Sequence, residues 1–228
     1  MDKPMINVPS VEGFAQPRTR RDFFKALAAA GAGVALGSTV LSGKAFAQSG
    51  NGDVDIANFA LTLEYLEAEF YTIAVDSGVL TEVSLPTVTN LRDHELAHVD
   101  AIIGLLEGVG ATPVEKPEFT FPEDAFSSEA SILELAATFE PVGVGAYLGA
   151  GPMIVDPDIL AAAGSIEVIE GEHVVAVNNL IGVAPPANEA FPAALSKDEV
   201  LAAIAPFLGM GEMMDTGGSS VAGHFGRV

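Results

Sequence analysis

The sequence predicts an all-α fold: a four-helix bundle with a long crossover between its second and third helices, followed by a short C-terminal helix. Three observations predict it. Four stretches carry apolar residues at helical rather than alternating spacing, as in Phe59, Leu63, Leu66, Phe70 and Ile73. The link between the second and third, 111–128, is rich in Pro, Phe and Glu, lacks a helical period and is long for a compact domain. The second half also repeats the first. Phe59-Ala60-Leu61-Thr62-Leu63-Glu64 leads to Tyr71 seven residues on, and Leu135-Ala136-Ala137-Thr138-Phe139-Glu140 leads to Tyr147 at the same distance. A Glu-x-x-His step follows each: Glu95-Leu96-Ala97-His98 lies 31 residues after Glu64, and Glu170-Gly171-Glu172-His173 lies 30 after Glu140.

The chain opens on an address. Thr19-Arg20-Arg21-Asp22-Phe23-Phe24-Lys25 resembles the twin-arginine export motif; an Ala/Gly-rich apolar run from Ala26 to Leu41 follows, then Ala45-Phe46-Ala47 as a small-residue cleavage site. That run is short and glycine-rich for a membrane span, which needs about 20 apolar residues. Lys44 beside the cleavage site also disfavours the general secretory route. Residues 1–47 are therefore expected to be a cleaved signal peptide, with the twin-arginine machinery as partner and a periplasmic or extracellular destination. Residues 48–53 read as a Gly/Ser/Asn linker.

The bundle is expected over 54–183. Its first helix runs from Val54 to Asp76 and stops at Ser77-Gly78. The second begins at Leu85-Pro86, where proline suits a first turn, and ends at Gly108-Val109-Gly110. The short link between them makes an antiparallel pair. The crossover is then expected to run the length of the bundle and to start the second pair at the same end as the first. The third helix spans Ser128 to Pro152; Pro141, Gly143, Gly145 and Gly149 weaken it in isolation, and a kink is expected at Pro141. The fourth spans Asp156 or Pro157 to Gly182 and is closed by Ala184-Pro185-Pro186-Ala187. Within 184–228 a short amphipathic helix is expected from Ser196 to Leu208. The flexible tail beyond it, with Met210, Met213, Met214 and His224, reads as a frayed terminus rather than a soft metal site.

Composition excludes several classes of function. There is no cysteine, hence no disulfide, zinc–thiolate or thiol chemistry. A formal charge of −21 excludes a nucleic-acid partner, which needs a basic surface. Residues 1–47 hold six of the ten basic and three of the 31 acidic side chains. That leaves Arg92, Lys116, Lys197 and Arg227 against 28 carboxylates, a charge of −24.

In a helix the three-residue step puts glutamate and histidine on one face. Leu91, Glu95, His98, Ile102 and Leu106 form one stripe, and Ile166, Glu170, His173, Val177 and Ile181 another, so both polar pairs point into the core. Four helices thus converge Glu64, Glu95, Glu140 and Glu170 with two imidazoles. Burying an unpaired carboxylate costs several kcal/mol. Such groups either take up protons, with raised pKa values, or bind divalent metal, since lysine and arginine are scarce. Two divalent ions balance four carboxylates, and neutral histidine completes the coordination. Oxygen and nitrogen donors without sulfur suit iron or manganese, and zinc binds similar sets. Glu67 lies nearer the centre of its apolar face than Glu64 and rivals it; its repeat counterpart is Gly143, which favours Glu64. His94, at the edge of its stripe, reads as structural.

This pattern resembles the ferritin-like di-iron and di-manganese carboxylate proteins, in which two helices each give a Glu and two give Glu-x-x-His. The seven-residue step from Glu64 to Tyr71 is similar to that of ferritins, bacterioferritins and rubrerythrins. Leu63-Glu64-Tyr65-Leu66-Glu67-Ala68-Glu69-Phe70-Tyr71 resembles, more narrowly, the ferritin-like domain of desiccation-related proteins. The resemblance covers about residues 53–182. It implies a crossover-linked ferritin-like bundle, with Glu64 and Glu140 as terminal ligands, Glu95 and Glu170 as bridging ones, and His98 and His173 each capping one metal. Tyr71 and Tyr147 become hydrogen-bond donors to the ligands or redox-active neighbours. The function implied is an exported oxidoreductase with two Fe or two Mn ions (mixed or zinc occupancy included). It would oxidise Fe²⁺ or react with O₂ or peroxide under oxidative or desiccation stress. The rival expectation is a non-catalytic stress-related bundle that binds metal for stability or sequestration; a homo-oligomer, up to an iron-storage cage, is compatible with either.

Overall fold

A computed structural model describes residues 51–184 and 190–209. The export motif, the cleavage site, the first half of the linker and the methionine-containing tail lie outside the described residues. The main elements are α1 (Asn51–Asp76), α2 (Leu85–Gly108), α3 (Glu129–Ala150), α4 (Pro157–Leu180) and α5 (Lys197–Ile204). Short 3-10 turns, Gly151–Met153 and Ala205–Phe207, follow α3 and α5. The fold is an all-α bundle, and among the described residues no helix is long and apolar enough to cross a membrane.

The helix ends follow from local chemistry. Ser128 caps α3 in a reciprocal box with Ser131, Asp156 caps α4 ahead of Pro157, and Ser196 caps α5 in a box with Glu199. Gly110 and Gly182, at φ 76° and 82°, turn the chain out of α2 and α4. α1 begins at Asn51, three residues before the expected Val54. Asp53 sits in its first turn, where the helix dipole favours a carboxylate, and accepts the backbone N–H groups of Val155 and Asp156 at 3.0 and 2.8 Å.

Those contacts fix the topology. Asp53 ties the start of α1 to the link between α3 and α4. At the other end Glu129, in the first turn of α3, accepts Thr81 N at 2.6 Å and the Ser84 hydroxyl from the link between α1 and α2. So α3 runs antiparallel to α1, and the second pair starts at the opposite end from the first, not at the same end. α2 brings the chain back to the level where α1 began, and only a link as long as the bundle carries it up again. That link is built in along the way. Thr120 N donates to Phe207 O at 2.8 Å and Gly209 N to Glu118 O at 2.9 Å. Phe121 and Phe126 pack on Phe70, with ring centroids 5.9 and 5.6 Å away. The crossover's phenylalanines therefore close an aromatic cluster around Phe70, Phe139 and Phe207.

α3 is continuous through Pro141. Its glycines serve packing: Leu195 N donates to Gly145 O at 2.8 Å, and a Cβ on Gly145 would lie 2.5 Å from Leu195 Cγ. One on Gly149 would run into the Leu195 carbonyl. Gly149→Ala is therefore expected to push residues 193–195 off the helix, at about 1–3 kcal/mol, and to lower the melting temperature by about 2–10 °C. Gly164→Ala, with open space around it, is the control that leaves the melting temperature level or raised. Calorimetry giving equal melting temperatures would show that the α3–Leu195 contact contributes nothing.

Two apolar layers sandwich the middle of the bundle. One gathers Leu66, Phe70, Val88, Ile132 and Phe139, the other Leu61, Leu106, Ile102 and Ile166. Between them lies a polar layer.

Candidate metal centre

Each helix contributes to that layer in turn: α1 gives Glu64, Glu67 and Tyr71, α2 Glu95 and His98, α3 Glu140 and Tyr147, and α4 Glu170 and His173. Glu64, Glu95, Glu140 and Glu170 are all 0% exposed. His98 Nδ1 lies 3.1 Å from Glu64 Oε2, 3.2 Å from Glu95 Oε2 and 3.2 Å from Glu170 Oε1. His173 Nδ1 lies 2.8 Å from Glu95 Oε1, 3.3 Å from Glu140 Oε2 and 3.8 Å from Glu170 Oε2. Two sets of donors result, Glu64–Glu95–His98–Glu170 and Glu95–Glu140–Glu170–His173, each with its ligand atoms within 4.8 Å of one another. Glu95 and Glu170 belong to both.

The sequence repeat reappears as a pseudo-two-fold. Tyr71 on α1 donates its hydroxyl to Glu140 on α3, and Tyr147 on α3 donates to Glu64 on α1. The reciprocity needs α1 and α3 antiparallel, because only then does a seven-residue step along one helix reach the glutamate of the other.

Whether these residues fit a pair of cations is decided by their unmet hydrogen bonds. Glu95 Oε1, Glu140 Oε2, both oxygens of Glu170 and His173 Nδ1 are buried without a hydrogen-bond partner. His173 Nδ1 is close enough to Glu95 and Glu140 to pair with them, yet the approach lacks hydrogen-bond geometry. Lone pairs aimed past one another at a shared point are the arrangement metal ligands adopt, and one rarely tolerated when empty. The set is compatible with a metal site.

In their absence protons must carry the compensation. Burial pushes Glu64 up to about 7 and raises Glu67, Glu140 and Glu170. Burial also pushes Glu95 upward, but the facing His173 and His98 imidazoles bring it down to about 2. Burial opposes charge on the histidines; the carboxylates of Glu170, Glu64 and Glu95 nonetheless push His98 up to about 12, and those of Glu140 and Glu95 push His173 up to about 11. Two imidazolium ions and several neutral carboxylic acids are thus the metal-free alternative.

Two further polar side chains lie beside the two sets. Glu67 is no substitute for Glu64, since both are buried; it belongs to neither four-residue set. Its repeat counterpart Gly143 makes its room: a Cβ there would lie 3.0 Å from Glu170 Oε2 and 3.4 Å from Glu67 Oε1. His94, outside both sets, lies against His173. Its Nδ1 lies 3.0 Å from His173 Nε2, and the two rings stack at 5.3 Å and 15°. Its place one turn before His98, on the same helix, is the sequence signal that could have found it.

A family model described as a ferritin-like domain matches residues 52–183, more than half of the chain. A solved structure described as a conserved hypothetical protein, rv2844, from Mycobacterium tuberculosis is similar in fold, with a TM-score of 0.53 at 21% identity; the match covers 64% of this chain and 100% of that one. No curated protein matches the chain.

Proposed function

We propose, from the premise that this chain belongs to the ferritin-like domain family, that it is an exported oxidoreductase built on a dinuclear iron or manganese centre. Zinc or mixed occupancy suits the same donors. One observation carries the reading: five buried donor atoms, shared between two overlapping four-residue sets, have no hydrogen-bond partner in the polypeptide. When bound, iron or manganese ions would carry electrons from Fe²⁺ to O₂, which is reduced as Fe²⁺ is oxidised, or would react with peroxide. The rest is the work of this chain's side chains. Glu95 and Glu170, common to both sets, span the two positions, while Glu64 and Glu140 close the ends. Neutral His98 and His173 each face one position. Tyr71 and Tyr147 hold the carboxylates of Glu140 and Glu64 by their hydroxyls, which fixes the free oxygen of each. Glu67, whose burial raises its pKa, lies beside the Glu170 carboxylate. The apolar layers keep bulk water away.

The export motif supports a periplasmic or extracellular location reached by the twin-arginine machinery, a route that carries folded proteins. Metal loading before export would follow naturally. Oxidative or desiccation stress is the setting that the α1 motif suggests. The second reading, a non-catalytic bundle that binds metal for stability or sequestration, draws on the same unsatisfied donors, since any cation would stabilise them. Turnover separates the two. Protein purified from its own host is expected to consume O₂ with Fe²⁺, or to remove peroxide, and Glu95→Ala/His98→Ala is expected to lose at least about 100-fold in rate. Metal-loaded protein without either activity leaves only the second reading.

A further inference from the structure

His98 and His173 differ in what lies behind them, outside both ligand sets. For His173 to face the carboxylates with the electron pair of Nδ1, its proton must sit on Nε2. His94 Nδ1 lies 3.0 Å from His173 Nε2, and in that tautomer it would accept the N–H. The His94 ring lies nearly parallel to that of His173, so the hydrogen bond and the stack together hold the His173 ring in one orientation. Among the described residues none hydrogen-bonds His98 Nε2, and the repeat position matching His94 is Ile169, which has no acceptor.

We infer that His94 is a positioning residue that fixes the ligating tautomer of His173, so that the Glu95–Glu140–Glu170–His173 position binds its ion more tightly than the Glu64–Glu95–His98–Glu170 position. The first loads before the second and empties after it. A hydrogen bond to the outer nitrogen of a ligating imidazole both removes the unproductive tautomer and makes the ligand more basic. The inference rests on the dinuclear reading above and adds an order to it.

The test is a stepwise titration of metal-free protein with Mn²⁺, followed by calorimetry and by the electron paramagnetic resonance of unbound Mn²⁺. Wild type is expected to bind in two resolved steps. His94→Ala is expected to weaken the tighter step by about 10- to 100-fold while the weaker step stays within about threefold. His94→Gln, whose amide oxygen accepts from Nε2, restores most of the loss. In the Zn²⁺-loaded protein, ¹⁵N spectra of His173 are expected to show Nε2 protonated and hydrogen-bonded in wild type and in His94→Gln, with the hydrogen bond gone in His94→Ala. A merely structural role would lower the melting temperature of both variants without separating the two steps. Wild type binding two ions in a single unresolved step, or His94→Ala leaving both steps alone or weakening them equally, overturns the inference and spares the dinuclear reading. Wild type that binds no Mn²⁺ overturns both.

Discussion

Protein purified from its own host is expected to carry about two equivalents of iron or manganese, one for each donor set, and to lose much of its thermal stability when they are chelated. An ion present at about a thousand times its dissociation constant stabilises the folded chain by roughly 4 kcal/mol, so two ions contribute on the order of 8 kcal/mol. For a domain of this size each kcal/mol moves the melting temperature by about 2–4 °C, which puts the drop on chelation at about 15–30 °C. Glu170→Gln keeps the volume and removes the charge of a carboxylate common to both positions. It is expected to hold less than about half an equivalent of metal and to melt near the chelated wild type. Glu172→Gln, on the exposed face of α4 and outside both sets, is the control expected to keep its metal. Melting temperatures of chelated and untreated wild type within about 3 °C would remove the cations from the account of stability.

How much of this was legible beforehand depended on the range of the interaction. The pairing of Glu95 with His98, and of Glu170 with His173, follows from one helical turn, and the stripes around them already placed both pairs inside. The repeat then said that Glu64 and Glu140 had matching roles. What it could not say is that Tyr71 reaches Glu140 and Tyr147 reaches Glu64, because those bonds depend on α1 and α3 running in opposite directions. A link that runs the length of the bundle from the end of α2 must deliver α3 to the end opposite the start of α1, so the expected length and the expected starting end are incompatible, and the length is the one that holds. The anchors that settle it, Asp53 on Val155 and Asp156 and Glu129 on Thr81 and Ser84, join residues 45 or more positions apart.

The glycines of α3 have one meaning along the helix and another in the fold. Counted along one helix, Gly143, Gly145 and Gly149 are weaknesses. In the fold each marks a close approach, Gly143 to the carboxylates of Glu170 and Glu67, and the other two to Leu195. His94 sits at the edge of an amphipathic stripe, a position whose partner is not defined until the neighbouring helix is present; α4 supplies it in His173. Charge balance was also only half legible. The scarcity of lysine and arginine is plain in the sequence, but the capacity of two imidazoles to become cations inside the bundle appears only from the distances.

That capacity gives the metal-free and metal-loaded proteins opposite responses to pH. In the metal-free chain His98 and His173 titrate at about 12 and 11 instead of near 6.5. A raised histidine stabilises the fold fully below its unfolded pKa, and the contribution drains away as pH climbs from 6.5 toward those values. Glu64, pushed up to about 7, acts in the same direction: between 4.5 and 7 the unfolded chain ionises it freely while the fold keeps it neutral, so stability falls as pH rises. Glu67, Glu140 and Glu170 are raised too and add to this. Glu95, brought down to about 2, opposes them, but its contribution is already complete above 4.5. From pH 5 to 8 the metal-free protein should therefore lose on the order of 5 kcal/mol, seen as a melting temperature lower by about 10–20 °C. The loaded protein is governed by the reverse competition. Protons must leave His98, His173 and the carboxylic acids before cations occupy their electron pairs, so affinity rises with pH and the melting temperature holds or climbs over the same range. The gap between the two is expected to be small near pH 5 and largest near pH 8. Parallel melting curves at those two pH values, with and without chelator, measure it directly, and a metal-free protein that grows more stable toward pH 8 would mean that its histidines are not charged partners of the buried carboxylates.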